Sequence, residues 1–349
     1  MRETLPPAIT LLLKNAQAAA VSAGTDERRT ASQLSRKLLG GALAAGYPPK
    51  VLPADAGLST LTDAVQAASA GAVLVGFDAR AVAITVLRAL GRSTSWHDHE
   101  FDLLTSGPLH PPMQMALDEV IARQVGEGTR KPALRVWEWA SNAVIIGSYQ
   151  SLSNEIDLEA AARHEATVVR RISGGGAMFV EPGNTITYSL YVPGTLVEGM
   201  SFVDSYAFLD AWVIRALREL GVEATYVPVN DIASPQGKIG GAAQKRLASG
   251  AVLHHVTMSY DMDSAKMLDI IRIGREKLSD KGIVSAAKRV DPIRSQTGLS
   301  REKVVEAMLD HFRRSYGLTE NAVDEATLAA ANELAETKYV DPEWLARVP

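Results

Sequence analysis

Two clusters in the chain carry residue types that can hold and polarise an anion. The first is Arg170, Arg171 and Ser173 followed by Gly174, Gly175 and Gly176, inside VVRRISGGGAMFVEPGNTITYSLY over 168–191. A guanidinium beside bare backbone N–H groups suits a carboxylate or a phosphate. Consecutive glycines cost backbone entropy, so a fold places them where a side chain does not fit or where φ is positive. No Gly-Lys-Ser/Thr follows them, and a strand comes next where a dinucleotide fingerprint needs a helix, so neither of those phosphate loops is present. The second cluster is Asn230 and Asp231, then Lys238 with Gly240 and Gly241, then His254 and His255. Lys238 stands between a glycine and an isoleucine, where the backbone turns and a ligand can come close. A half-buried ammonium beside a phosphate is a strong contact, because the local dielectric is low. Asn230 and Asp231 can accept from an adenine or ribose, or offer oxygen to Mg2+. Each motif alone also fits ordinary structure: a solvent loop with two arginines, a hairpin lysine, an Asn-Asp turn.

The elements that must position these residues follow from periodicity. A strand rich in β-branched residues enters the glycines, and another resumes after the turn Glu181-Pro182-Gly183-Asn184. Phe202, Tyr206, Leu209, Val213, Leu217 and Leu220 recur at steps of three and four, which predicts a helix over 201–220 packed on a sheet and ended by Gly221. Helices are expected over 113–125 and 157–165, and two strands between 133 and 149 hold Trp137 and Trp139 on one side, as core or pocket wall. His254 and His255 fall on a strand and so face opposite sides, a poor arrangement for a shared metal. Residues 91–112, with Gly107, Pro108, Pro111 and Pro112, read as a linker, and His97 and His99 as polar residues within it. Before it, an Ala-rich module of about 98 residues reads as helices over 9–23, 31–45, 61–70 and 81–90, with one strand over 71–77. Its cluster Arg28, Arg29, Arg36 and Lys37 reads as a solvated face.

Composition narrows the class. The chain has 349 residues, 46% hydrophobic and 22% charged, which places it among ordinary globular proteins with room for a full core and a smaller second module. A formal charge of -4 leaves no basic footprint for nucleic acid. With no cysteine, disulfides, thiolate nucleophiles and Cys-based metal sites are all excluded. The first residues lack a signal-peptide pattern and no stretch approaches the roughly 20 apolar residues of a membrane span, so a cytoplasmic setting is expected.

Taken together, RRISGGGAMF over 170–179, Gly183-Asn184, Asn230-Asp231, KIGGAAQ over 238–244 and LHHVT over 253–257 resemble the lipoate-protein ligase A family. Lys277 to Ser285 with Arg289-Val290 is similar to a later segment of that family, and the likeness runs from about Gln114 to Trp344. It implies an α+β catalytic domain over 99–349, with a mixed, largely antiparallel sheet flanked by helices, as in biotin and lipoate ligases. It also implies a two-step reaction, in which lipoate or octanoate and ATP with Mg2+ give an acyl adenylate, and a lysine of a lipoyl-carrier domain then displaces AMP. Such carriers belong to 2-oxoacid dehydrogenase complexes or are the glycine cleavage H protein. By the family pattern Lys238 is catalytic, while Arg171, Ser173, Gly174, Gly175, Gly176, Ala177, Met178, Phe179, Asn184, Asn230, Asp231, Gly241 and His255 surround the adenylate, and Asp231 is the Mg2+ candidate. Gly240 stands where the family commonly has serine, and Val256 where it usually has glycine.

Many members carry a C-terminal accessory domain needed for the first step, and this chain reaches only a few residues beyond Trp344. Either the module over 1–98 or a separate protein is expected to take that role. Two rival readings are an ATP-independent transfer of lipoyl or octanoyl groups between carriers, and a module that binds lipoyl carriers without catalysis.

Overall fold

The computed structural model describes residues 94–198, 200–272 and 290–348. The helices and strand expected before residue 91, the cluster Arg28, Arg29, Arg36 and Lys37, and the segment Lys277–Ser285 with Arg289 lie outside the described residues. The chain divides into two compact units, of which the larger comprises His99–Gly194 and Tyr206 onward. The smaller contributes only 94–98, 195–198 and 200–205 to the described residues, including a 3-10 turn at Trp96–Asp98. The sheets and the candidate site all belong to the larger unit.

In chain order the strands are β1 Asp102–Thr105, β2 Pro108–Leu109, β3 Ala133–Trp139, β4 Ala143–Ile146, β5 Thr167–Arg170, β6 Met178–Val180, β7 Thr185–Pro193, β8 Thr225–Val227, β9 Asp231–Ser234, β10 Gly237–Arg246, β11 Ala251–Ser259 and β12 Thr319–Ala322. The helices are α1 Pro111–Gly126, α2 Leu152–Glu155, α3 Leu158–Arg163, α4 Phe202–Glu219, α5 Ser264–Ile270, α6 Ile293–Thr297, α7 Arg301–Tyr316, α8 Glu325–Leu334 and α9 Pro342–Ala346. Nine strands form one sheet in the order β12-β1-β3-β7-β11-β10-β9-β8, with β2 beside β3. Pairing is antiparallel from β3 through β8 and parallel among β12, β1, β3 and β2. A second sheet, β5-β4-β6, carries the glycine loop between β5 and β6. The expected α+β architecture with a mixed, largely antiparallel sheet is what the chain adopts.

Register decides which side chains share a face. In β7 and β11, Thr187 pairs with Thr257 and Ser189 with His255, while Trp137 and Arg135 of β3 pair with the same Thr187 and Ser189. Partners in an antiparallel ladder point to the same side, so these six side chains line one face. On the opposite face Tyr188 stacks edge-on against Trp212 of α4 at 4.9 Å, and Trp212 against Phe312 of α7 at 5.1 Å. His254 faces that side too, 2.7 Å from Asp210 of α4. The two adjacent histidines diverge as a strand requires.

Helix α1 is held between the sheets, and its buried residues include Met115, Leu117, Ile121 and Val125 but also Gln114, Asp118 and Glu119. Pro111 and Pro112 open it, at positions whose N–H groups would have no helical partner. Asp157 caps α3, accepting from the Ala160 N–H at 2.9 Å. The α4 stripe is buried at Tyr206, Leu209, Val213 and Leu217, and Gly221 follows with φ 85°. The expected linker departs from this pattern of agreement. Phe101, Leu103 and Leu104 are buried, β1 lies between β12 and β3, and β2 pairs with β3, so the apolar run over 101–104 joins the core and 102–109 is part of the main sheet. Among the described residues no helix is long and apolar enough to cross a membrane.

Candidate active site

A cavity of about 340 Å³ opens on the face that carries the paired odd-numbered positions. Its apolar lining includes Met115 of α1, Trp137 and Trp139 of β3, Ile145 of β4, and Met262 and Met267 around α5. Its polar lining comes from Thr187, Thr257 and Ser259 of the sheet and from Arg171, Asn230 and Lys238. Strand β7 orients the tryptophans: Trp137 Nε1 donates to Ser189 Oγ at 2.9 Å and Trp139 Nε1 to Thr187 Oγ1 at 3.3 Å. Buried indole N–H groups need such partners, and these bonds fix both rings as one wall. Ser259 Oγ is buried and has no hydrogen-bond partner among the described residues.

Arg171 turns back over its own loop. Its Nε donates to Ser173 Oγ at 3.0 Å and Gly174 O at 3.2 Å, Nη2 to Gly174 O at 2.6 Å and Gly176 O at 2.9 Å, and Nη1 to Ile145 O at 3.2 Å. Among the described residues one Nη1 hydrogen has no acceptor, since a guanidinium has five. Among the described residues Arg171 forms no ion pair, and burial lowers its pKa to about 10. The loop geometry needs two glycines in particular. Gly175 has φ 92°, and a Cβ on Gly147 would fall 2.1 Å from Gly175 O. Neighbouring Arg170 is also buried, its guanidinium donating to the carbonyls of Gly147, Gln150 and Leu345.

Behind the loop is a buried polar network centred on Asp118 of α1. Its carboxylate accepts from His255 Nδ1 at 2.8 Å, Arg135 Nη2 at 2.9 Å, Ser189 Oγ at 2.8 Å and the Tyr191 hydroxyl. Burial pushes the Asp118 carboxyl up, but the hydrogen bond from His255 and the charges of Arg135 and His255 outweigh it and hold it below the usual range. Burial lowers the pKa of His255, against the raising effect of Asp118. His255 also contacts Ser173, with Nε2 and Oγ 2.6 Å apart.

Lys238 lies at a bulge in β10, where the pairing with β9 shifts between Lys238 and Gly240. Its Nζ is 2.7 Å from Asp231 Oδ1. Gly241 leaves the space for that ammonium, since a Cβ there would stand 3.1 Å from Nζ. Asn230 is anchored from both sides, its carbonyl accepting from the Ala242 N–H at 2.8 Å and its amide donating to Ala242 O.

Of the residues marked from the sequence, Arg171, Gly176, Ala177, Met178, Phe179, Asn230, Lys238, Gly241 and His255 come together around this cavity. Ser173, Gly174, Gly175 and Asp231 sit directly behind lining residues, bonded or packed against them. Asn184 is elsewhere: it donates to Glu181 Oε2 at 3.1 Å, and its carbonyl accepts from the N–H groups of Tyr260 and Asp261. Asp118, Ser259 and Met115 carry no motif that marks them in the sequence. A signal for Asp118 exists in retrospect, because it lies four residues after Gln114 on the stripe that Ile121, Ala122 and Val125 continue.

An octanoyltransferase LipM of an Exiguobacterium species is 29% identical over 280 residues, 72% of this chain and 98% of that protein. In structure, the bipartite lipoate protein ligase of Thermoplasma acidophilum, described together with its E2 lipoyl domain, superposes with a TM-score of 0.62 at 28% identity, covering 72% of this chain and 98% of that one. A lipoate-protein ligase A bound with ATP gives 0.61 at 26% identity, covering 71% of this chain and 100% of that one. Residues 110–313, which hold the glycine loop, the Lys238 bulge and the residues that line the cavity, match the lipoyl protein ligase A/B catalytic domain, and the chain belongs to that family.

Proposed function

We propose that this chain activates lipoate, or octanoate, with ATP and passes the acyl group to a lysine of a lipoyl-carrier domain. The observation that carries the reading is Arg171, a buried guanidinium with no carboxylate partner among the described residues, sharing one cavity with Lys238 and apolar side chains. A buried cation without a counter-charge is unfavourable, and an anionic ligand relieves it. The acid's carboxylate attacks the α-phosphorus of ATP and pyrophosphate leaves. The acceptor amine then attacks the acyl carbonyl, AMP leaves, and the amine gives up a proton. Lys238 and the Arg171 guanidinium stabilise charge at the phosphate and at the carbonyl oxygen, so no protein nucleophile is required.

The donor set also says how Mg2+ would be held. Among the described residues no carboxylate lines the cavity, and Asp231 is engaged by Lys238. Asp231 offers one carboxylate near the polar lining, and the nucleotide phosphates would supply most of the other oxygen ligands. The similarity to an octanoyltransferase supports a second reading, transfer of octanoate between carriers without ATP. The chain has no cysteine, so an acyl group carried on a thiol is not open to it, and this favours the ATP-dependent reading.

The catalytic domain on this reading is residues 99–349, acting in the cytoplasm on carriers of 2-oxoacid dehydrogenase complexes or on the glycine cleavage H protein. An accessory role is proposed for the module before residue 99 or for a second protein. Offering the purified chain an apo-carrier with either free acid and ATP, or an octanoylated donor carrier without ATP, separates the readings. Acylation only in the first mixture supports the ligase, and acylation in the second supports the transferase.

A further inference from the structure

Asp118, His255, Ser173 and Arg171 form a continuous buried chain, with separations of 2.8 Å, 2.6 Å and 3.0 Å. We infer that Asp118, His255 and Ser173 are positioning residues, a relay that holds the Arg171 guanidinium in the anion-binding arrangement. The inference rests on reading the cavity as an acyl-phosphate site.

Proton bookkeeping leaves one arrangement in which every atom is satisfied. Arg171 Nε–H can only donate, so Ser173 Oγ accepts there. Asp118 as a carboxylate can only accept, so His255 Nδ1 carries a hydrogen. The neutral imidazole then has a bare Nε2, which accepts the Ser173 hydroxyl hydrogen. Protonated His255 would set its own Nε2–H and the Arg171 Nε–H on the two lone pairs of Ser173 Oγ and leave the Ser173 hydroxyl hydrogen without an acceptor among the described residues. The relay therefore has every hydrogen paired only with neutral His255. Asp118 also binds Arg135, Ser189 and Tyr191, so helix α1 and strands β3, β7 and β11 together fix the loop cation.

Hydroxyl, imidazole and carboxylate in this order also describe a nucleophilic triad. Ser173 does not fit that role here. It is fully buried, does not line the cavity, and accepts a hydrogen bond from a guanidinium, which draws electron density from its oxygen.

The test is side-chain NMR on the intact chain, with kinetics beside it. In the unsubstituted protein, 15N shifts should show His255 protonated at Nδ1 and bare at Nε2, and the Arg171 Nε–H should exchange slowly with solvent. Ser173→Ala and Asp118→Asn should each speed that exchange about 10-fold or more, with the Arg170 Nε–H unchanged as an internal control. Ser173→Thr, which keeps a hydroxyl, should restore slow exchange even if Asp118→Asn proves unfolded. In acyl transfer, Ser173→Ala and Asp118→Asn should each raise KM for the activated donor, and the double variant should be no worse than the poorer single. An Nε2–H tautomer, unchanged Arg171 exchange in Ser173→Ala, losses that multiply in the double variant, or an acyl adduct on Ser173 by mass would each overturn the relay. If no acyl donor is used at all, the functional reading fails, while the NMR result still decides the relay.

Discussion

Lys238 and Asp231 lie on adjacent strands with Nζ and Oδ1 2.7 Å apart, and Lys238 lines the cavity while Asp231 does not. The acid holds the ammonium from behind, and among the described residues no second ion-pair partner takes its remaining donors. Replacing Lys238 by Ala should lower acyl activation by about 100-fold to 1,000-fold, the usual cost of losing one oriented electrostatic group. The side chain is more than a third exposed, so melting temperature should change little. Steady-state kinetics beside a thermal melt check both halves of that expectation.

The two glycines after Ile239 should separate in their effects. A Cβ on Gly240 would come 2.6 Å from the Thr257 carbonyl, a backbone atom that cannot step aside, so Gly240→Ala should destabilise the sheet by roughly 1–3 kcal/mol. A Cβ on Gly241 would meet the flexible end of Lys238 instead, at 3.1 Å. Gly241→Ala should therefore keep its stability and lose activity by displacing the ammonium. Urea titrations and activity measurements on the pair distinguish these outcomes.

Acid should weaken the folded state in two windows. Burial puts the folded pKa of His255 below the ordinary histidine value of about 6.5, so the unfolded chain binds the proton first and stability falls as pH drops from there through the folded value. Asp118 is held below the usual carboxylate range, and its contribution is lost lower still, below about pH 4. Denaturation midpoints measured against pH should show both declines. His255→Gln should flatten the first.

Arg170 should matter for stability rather than for chemistry. It donates to Leu345 O through both Nε and Nη2, at 2.9 Å and 2.6 Å, and to the carbonyls of Gly147 and Gln150. Trp344 Nε1 returns a bond to Arg170 O at 3.0 Å, so this arginine ties α9 to the base of the glycine loop. Arg170→Ala strands several buried carbonyls and should cost at least about 2 kcal/mol. A melt of that variant, with and without acyl ligand, measures the loss.

The strand, glycine loop and strand over 167–193 are legible in the sequence, because β-branched runs flank a stretch that cannot be helix. The α4 stripe is equally readable from its spacing. Asp118 is far less so, since the QMALDEV run holds two adjacent acids and its place four residues after Gln114 has the pattern of any amphipathic helix. Only the meeting of α1 with β3, β7 and β11 turns it inward. The direction of Arg171 is hidden for a similar reason: the motif predicts a cation at the loop, but its carbonyl partners are fixed by the turn at Gly175 and the close approach of Gly147. Residues 102–109 read wrongly as linker because Gly107 and Pro108 outweigh the short apolar run of Phe101, Leu103 and Leu104.

The measurement that tests the central claim most directly is pyrophosphate release by the purified chain given ATP, Mg2+ and lipoate or octanoate, with no carrier present. An adenylate-forming ligase should release pyrophosphate only when the acid is present and lose that release in Lys238→Ala, either with the chain alone or once an accessory protein is added. Acid-independent release, or no release in either setting while an octanoylated carrier donates its acyl group without ATP, would contradict it.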